Sequence, residues 1–377
     1  MSEPATLQRV LQRHFVGYAD RHRLDGHRLK VCRHLLNCHT PALGGIQYQC
    51  DQCHHCQVPQ YHSCRDRHCP QCQGRATRQW SERQQQAILP VTYYHLVFTL
   101  PHELNGWVQL HPEIIYSLLF QAVWTTLKAF GANPKRLGGK LGMTAVLHTW
   151  GQNLSQHVHL HCLVPGGVLT ENQEWHSARS TYLFPVRALS RHFRGKMVSA
   201  LRECATAGKL DRITRADEID QLLDQLMKKD WVVYSKPCIN HTETIIRYLA
   251  RYSHKIAISD QRIIGMKDDQ VHFQYQDYRD DQSKVMKLDT DEFIRRFLLH
   301  VLPNGFMRIR HYGLLANRCR KASLERIRKI LAQPAKAEEH PEADEAGDYP
   351  CPKCHKGHLV AIWRINPVWP LPVRGPG

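Results

Sequence analysis

The segment HVHLHCLVP at residues 157–165 alternates polar and apolar side chains. Side chains alternate across a β-strand, so His157, His159 and His161 are predicted to share one face while the apolar residues between them point into a core. Neighbouring histidines in this row would lie about 7 Å apart, so one adjacent pair could hold a metal ion with modest bending. The alternative is a row of polar side chains satisfied by hydrogen bonds. Three histidines on one face favour metal ligands, because burying them without a partner would be costly.

The segments around this strand predict an α+β domain over residues 90–332. Further strands are predicted at 92–100 and 142–150, with a hairpin at 262–265 and 271–276. Helices are predicted at about 112–131, 187–206, 241–252, 290–299 and 319–332. This order differs from the regular βαβ alternation of a dinucleotide-binding fold.

Residues 1–85 are predicted to form an N-terminal helix and a small zinc-binding domain, because a cysteine-rich segment follows the helix. Of the 14 cysteines, eight lie between Cys32 and Cys72, and no secretion signal suggests disulfide chemistry. The spacing of two Cys-x-x-Cys pairs fits one four-cysteine zinc ribbon. Its ligands would be Cys50, Cys53, Cys69 and Cys72, with Cys64 and His68 as further candidates. A second ion, or a different choice of four ligands, stays open because Cys56, His54, His55 and His62 lie among them.

The C-terminal part is predicted to contain a linker and a short tail. Residues 333–349 are acidic and lack hydrophobic periodicity, as expected of a flexible linker. Residues 350–377 contain Cys351-x-x-Cys354, followed by His355 and His358. Two cysteines alone leave a second small metal site and an unmetallated tail as equal alternatives.

A pair of tyrosines lies in the predicted helix at 241–252. Tyr248 and Tyr252 are four residues apart, so their phenols would share one helical face. Two tyrosines at this spacing are more often packing residues. The surrounding Arg247, Arg251 and Lys255 instead indicate contact with the phosphates of a nucleic acid.

The overall charge predicts a polyanionic partner. The chain has 51 lysines and arginines against 34 acidic residues, a net charge of +17. Charge alone does not separate DNA, RNA and a membrane surface. No apolar run in the sequence suggests a membrane-spanning segment, so a membrane is not expected as a partner. The sequence has no P-loop motif, so a nucleotide triphosphate is not expected either. We expect a soluble protein of the cytoplasm.

These motifs together resemble a known family of DNA-processing enzymes. The segments CHTPALGG, SCRDRHCPQCQ, HVHLHCLVPGG, RYLARYSHKIAIS and MRIRHYGLLANR stand in the order found in rolling-circle insertion-sequence transposases. The chain resembles the two-tyrosine members of the HUH endonuclease superfamily, the bacterial family numbered ninety-one. The resemblance covers most of the chain and implies an HUH core with an antiparallel sheet flanked by helices, plus the N-terminal zinc-binding module.

The resemblance also implies roles for particular residues. His159 and His161 would be the histidine pair that holds Mg²⁺ or Mn²⁺, and Tyr248 and Tyr252 would form 5′-phosphotyrosine links. The candidates for a third metal ligand are His157, Asn153 and Gln156. The partners would be single-stranded DNA of the element's ends and target DNA, at the bacterial nucleoid.

Two other functions stay open on the sequence. A replication initiator or plasmid relaxase would share the HUH chemistry, although CHTPALGG and IRHYGLLANR favour the transposase. A non-catalytic, zinc-dependent DNA-binding regulator would have no need of a tyrosine pair near a histidine-rich strand.

Overall fold

The structure, a computed structural model, describes most of the chain. The described residues are 5–74, 82, 88–178, 182–213, 216–238, 256–277, 279–332 and 349–368. They form two compact units, which divide as Met1–Ala76, Ile258–Arg295 and Ala337–Gly377 in the first and Thr77–Ala257 and Arg296–Lys336 in the second. The predicted tyrosine helix at 241–252 and the predicted acidic linker lie outside the described residues, apart from Tyr349 at the end of the linker.

The α-helices are α1 (Leu7–Arg21), α2 (Gly26–Asn37), α3 (Asn105–Leu110), α4 (Pro112–Ala132), α5 (Val186–Thr206), α6 (Ala216–Lys228), α7 (Thr290–Leu299) and α8 (Arg320–Ile330). The strands are β1 (Gly45–Cys50), β2 (Gln60–Tyr61), β3 (Tyr93–Thr99), β4 (Gly142–Trp150), β5 (Gln156–Pro165), β6 (Gly167–Leu169), β7 (Trp175–Ser177), β8 (Val233–Cys238), β9 (Ile263–Lys267), β10 (Gln270–Asp277), β11 (Gln282–Asp289), β12 (Ile309–Gly313) and β13 (Leu359–Ile365).

The first unit contains two small antiparallel sheets and the N-terminal helices. One sheet has the order β13-β1-β2 and the other the order β11-β10-β9. The first turns of α1 and α2 are capped by the side-chain oxygens of Thr6 and Asp25. A hydrogen bond from the backbone N–H of Leu7 to Asp260, 2.9 Å long, connects α1 to the segment before β9.

The second unit is built on a five-stranded antiparallel sheet with the order β12-β4-β5-β3-β8. One face packs against α4 and α5 through a large apolar core that includes Phe98, Leu147, Leu160 and Phe193. Residues at the alternate positions, including His159 and His161, point to the other face. The predicted α+β class, with an antiparallel sheet flanked by helices, is confirmed.

The division into units differs from the predicted domain boundaries. Residues 258–295 were predicted within the catalytic domain, and the C-terminal tail was predicted as a separate segment, yet both belong to the first unit. The physical reason for the tail is that β13 pairs with β1 along its length, from Gly45↔Ile365 to Cys50↔Leu359. Strand pairing between segments so distant in sequence cannot be read from local periodicity.

Contrary to the expectation from the sequence, helix α4 is long and apolar enough to cross a membrane, by length and composition alone. More than half of its most apolar window is buried within the protein. Its buried side chains, among them Leu119, Phe120 and Val123, form part of the apolar core under the sheet. Packing in that core accounts for its composition.

Candidate functional site

Three histidines converge on the polar face of the five-stranded sheet. His159 and His161 lie on β5, and His148 lies on β4, where backbone pairing sets it directly opposite His159. Their potential ligand nitrogens all lie within 4.8 Å of one another, and all three residues are buried. The Nε2 atoms of His159 and His161 are 3.1 Å apart. Two ligands bound at right angles with bonds of about 2.1 Å would be about 3.0 Å apart, so this spacing fits one shared ion.

The outer nitrogens of the β5 pair have partners that orient both rings. His159 Nδ1 lies 2.8 Å from the carbonyl oxygen of His157. A carbonyl only accepts hydrogen bonds, so Nδ1 of His159 carries the proton and Nε2 of the neutral ring keeps its lone pair. His161 Nδ1 lies 2.9 Å from Nε2 of His95 on β3. When His161 donates this bond to His95, the lone pair on Nε2 of His161 also faces the gap between the His159 and His161 rings. In metal sites, hydrogen-bond partners behind the ligands orient the ligand rings in the same way.

Burial keeps the imidazole of His159 uncharged, and it does the same for the neighbouring His95. Desolvation lowers the pKa of His159 to about 4, and it lowers the pKa of His95 to about 4 as well. A neutral imidazole is the form that binds a metal ion. At neutral pH, His159 therefore presents a nitrogen lone pair to the cluster.

The third histidine of the cluster, His148, is not among the three candidates that the sequence offered for a third ligand. His157 is exposed at the start of β5, and its ring lies 4.9 Å from that of His159, centroid to centroid, outside the converging group. Gln156 accepts a hydrogen bond from Gln109, and Asn153 accepts bonds from Ser155 within its own turn. His148 takes the third position because β4 is the neighbour of β5. Its signal in the sequence was its place on the polar face of the predicted strand at 142–150.

Two sets of four cysteines lie in the first unit. One set consists of Cys38, Cys64, Cys69 and Cys72, and the other of Cys50, Cys53, Cys351 and Cys354. In the first set, three pairs of Sγ atoms are 3.5–3.6 Å apart. The backbone N–H groups of Cys64 and Asp66 each lie 3.5 Å from a sulfur of this set, as donors that favour thiolates.

This arrangement corrects the predicted grouping of zinc ligands. The two Cys-x-x-Cys pairs that were expected to share one ion are divided between the two sets. The further candidate Cys64 joins the set that contains Cys69 and Cys72. His68 does not join it, because its Nδ1 pairs instead with the Asp66 carboxylate at 2.9 Å. The prediction was wrong because it assumed that the two Cys-x-x-Cys pairs nearest in sequence share one ion.

The predicted tyrosine nucleophiles and their basic neighbours lie outside the described residues. These are Tyr248 and Tyr252 together with Arg247, Arg251 and Lys255. The described chain resumes at residue 256, and β8 ends just before the segment. Their roles remain predictions from the sequence.

Comparisons with known proteins give consistent matches along the chain. A family described as "Transposase zinc-binding domain" matches residues 10–100, and one described as "Putative transposase" matches residues 142–323. The chain is 41% identical over 344 residues to "Putative transposase y4qJ" of Sinorhizobium fredii (strain NBRC 101917 / NGR234), covering 86% of each chain. It is 28% identical over 313 residues to "Transposase for insertion sequence element IS801" of Pseudomonas savastanoi pv. phaseolicola, covering 79% of this chain and 72% of that relative. No solved structure gives a significant match.

Proposed function

The chain belongs to the insertion-sequence transposases of family ninety-one, and on that premise we propose that it nicks and joins single-stranded DNA through 5′-phosphotyrosine intermediates. Residues 10–100 match the zinc-binding domain of the family. The proposed mechanism is that of a two-tyrosine HUH enzyme in rolling-circle transposition. Its substrates are the single-stranded ends of the element and the target DNA.

The observation that carries this proposal is the histidine cluster on the sheet face. His148, His159 and His161 supply three imidazole nitrogens as ligands, and the 3.1 Å spacing of the β5 pair suits a single divalent ion, Mg²⁺ or Mn²⁺. Such an ion would polarise the scissile phosphate and stabilise the charge that develops on it. His95 and the carbonyl of His157 hold the ligand rings in position.

The proposed nucleophiles are the phenol oxygens of Tyr248 and Tyr252. Attack of the tyrosine oxygen on phosphorus forms a tyrosine–phosphate ester and breaks the bond to O3′, which leaves as a 3′ hydroxyl after taking up a proton. A phenol has a pKa near 10 and is a weak nucleophile at neutral pH, so Arg247, Arg251 and Lys255 would assist by holding the phosphate.

The phosphotyrosine link makes an outside energy source unnecessary. The energy of the broken phosphodiester bond is kept in the new ester, so a 3′ hydroxyl can attack it and restore a DNA strand without a nucleotide triphosphate. Two tyrosines let one hold the donor 5′ end while the other opens a second strand. The substrate also places this activity at the nucleoid in the cytoplasm.

The experiment is incubation with single-stranded DNA carrying the element's ends and Mn²⁺ or Mg²⁺, followed by a denaturing gel for a covalent protein–DNA adduct. The wild type should form the adduct, and the double variant Tyr248→Phe with Tyr252→Phe should form none. Each single tyrosine variant should abolish transposition in cells. An adduct in the double variant would refute the assignment of the nucleophiles.

The metal ligands are tested in the same assay with a binding control. His159→Ala and His161→Ala should each abolish nicking while DNA binding is largely kept, because the basic surface is unchanged. Nicking by both variants that is insensitive to EDTA would exclude the metal site. Cleavage of plasmid origin DNA in preference to element ends would favour an initiator or relaxase, and binding without an adduct would favour a regulator.

A further inference from the structure

We propose that Cys50, Cys53, Cys351 and Cys354 hold a second zinc ion, which makes the C-terminal tail a structural half of the zinc-binding domain. Two of these ligands lie outside residues 10–100, the range of the matched zinc-binding family. The first set, with Cys38 and Cys64, would hold its own ion. This proposal is independent of the strand-nicking chemistry.

The distances between the sulfurs fit a tetrahedral ion. Cys50 Sγ lies 3.7 Å from Cys354 Sγ, and Cys53 Sγ lies 3.7 Å from Cys351 Sγ. Four sulfurs bound tetrahedrally with bonds of about 2.3 Å are about 3.8 Å apart. A disulfide would need about 2.05 Å between two sulfurs, so these pairs are not cross-linked. The members of each pair are 304 and 298 residues apart in sequence.

The two Cys-x-x-Cys segments form turns of the same shape. In the first, the backbone N–H groups of Gln52 and Cys53 lie 3.4 Å from Cys50 Sγ. In the second, the N–H of Lys353 lies 3.4 Å from Cys351 Sγ. Backbone donors aimed at sulfur stabilise the thiolate that a zinc ion requires.

The likeness of the two turns extends to the residue that follows each of them. Each pair is followed by a histidine in the left-handed region, His54 and His355, both at φ 54°. The N–H of this histidine donates to the carbonyl of the first cysteine, at 3.2 Å from Cys50 and 3.0 Å from Cys351. Two matching turns facing one another are the arrangement expected of a four-cysteine zinc site built from two halves.

Backbone pairing brings the two turns together at one end of the small sheet. Strands β1 and β13 are antiparallel, and Cys50 pairs with Leu359 where β1 ends and β13 begins. Beyond this pair, the N–H of Asp51 donates to the carbonyl of His358, while the N–H of His358 donates to the Asp51 carboxylate. A Cβ at Gly357 would lie 2.7 Å from Cys50 Sγ, so only glycine allows this approach.

The apolar contacts of this sheet are too few to hold the tail by themselves. The local core has three buried residues, Cys50, Cys351 and Leu359, with Tyr48 and Cys354 packed against it. Small domains with so little buried apolar surface usually need a metal or a disulfide to fold. Binding of zinc to the four thiolates would supply the missing stabilisation.

The first test is the zinc content of the full-length protein, purified under reducing conditions. The wild type should contain two zinc ions per chain, and the double variant Cys351→Ser with Cys354→Ser should contain one. The matched control is Cys56→Ser, which removes an exposed neighbouring cysteine outside both sets and should keep two ions. One ion in the wild type, or two in the double variant, would overturn the proposal.

A second measurement on the wild type holds even if the double variant fails to fold. Alkylation mapped by peptide mass spectrometry should leave Cys53 and Cys354 unlabelled until a zinc chelator is added, whereas Cys56 should be labelled throughout. Equal labelling of Cys56 and Cys354 before chelation would refute the site. If labelling of Cys53 and Cys354 required a disulfide reductant and not a chelator, the four cysteines would be joined by disulfides and would not hold zinc.

Discussion

The substitution His95→Phe tests whether the second layer of the histidine cluster sets its affinity for a metal ion. His95 is buried on β3, and its Nε2 lies 2.9 Å from Nδ1 of His161. Its ring stacks on that of His161 with a centroid distance of 5.1 Å and an interplanar angle of 12°. Phenylalanine keeps an aromatic ring in this stack and removes the nitrogen.

The expected cost follows from the hydrogen bond that is lost. Without metal, His161 can move its proton to Nε2 and donate to Nε2 of His159, 3.1 Å away. With metal bound there, the proton must stay on Nδ1, which has no acceptor at position 95 in the variant. A buried donor without a partner costs about 1–3 kcal/mol, which lowers metal affinity by about 5- to 150-fold. Loss of a second-layer partner in known metal sites costs about 10- to 100-fold, in agreement with this range.

The assay is titration of the protein with Mn²⁺, followed by calorimetry or by electron paramagnetic resonance of the free ion. The nicking rate is then measured against Mn²⁺ concentration, and the rate at saturation should approach the wild-type value, because the three ligands remain. His95→Gln is the matched control, since its amide oxygen can accept the bond from His161 and should restore part of the affinity. A dissociation constant within twofold of wild type in the Phe variant would refute the reasoning. An equal loss in the Gln variant would show that packing, and not the hydrogen bond, is responsible.

Three further predictions concern the cluster and the stability of the second unit. His148→Ala should lower the nicking rate at least about 100-fold in the gel assay, which is more than the loss of His95 should cost, while His157→Ala should leave the rate near wild type. The reverse result would favour His157 as the third ligand. Gly313→Ala should destabilise the protein by about 3 kcal/mol in thermal or urea unfolding, because φ is 59° and the new Cβ would lie 1.9 Å from a backbone oxygen. The control Gly208→Ala, with φ 66° and open space around the new Cβ, should cost about 1 kcal/mol, and equal losses in the two variants would contradict the clash. Burial lowers the pKa of His300 to about 4, below its usual value near 6.5. The stability that this group contributes is therefore present above pH 6.5 and lost as the pH falls toward 4. Over that range the free energy of unfolding of the wild type in urea should fall by about 3 kcal/mol more than that of His300→Gln, and an equal fall in the two proteins would contradict the prediction.

Local features of the sequence predicted several of the long strands and helices, although helices α3 and α6 were missed. The alternation in HVHLHCLVP predicts a strand with its histidines on one face, and β5 has that form because the period of a strand is two residues. The predicted segments at 112–131, 142–150 and 290–299 lie within one residue of α4, β4 and α7. The short strands β8 and β12 were missed, since five or six residues carry too little periodicity to separate strand from loop.

The density of cysteines also indicated, without any structure, a zinc-binding domain in the N-terminal region. A Cys-x-x-Cys turn is a local structure, so its presence can be predicted from four residues. Which two turns face one another is a property of strand pairing between distant segments. The sequence spacing therefore joined Cys50 to Cys69, whereas the pairing of β1 with β13 joins Cys50 to Cys354.

The same limit applies to the histidine cluster. The amino-acid sequence determined that His159 and His161 share a face, because both lie on one strand. Only the tertiary structure decided that His148 is the third member and that His95 supports the pair, because the order β4-β5-β3 and the register of each pairing bring them together. A shift of one residue in either register would turn these side chains into the apolar core, and no local pattern in the chain records that choice.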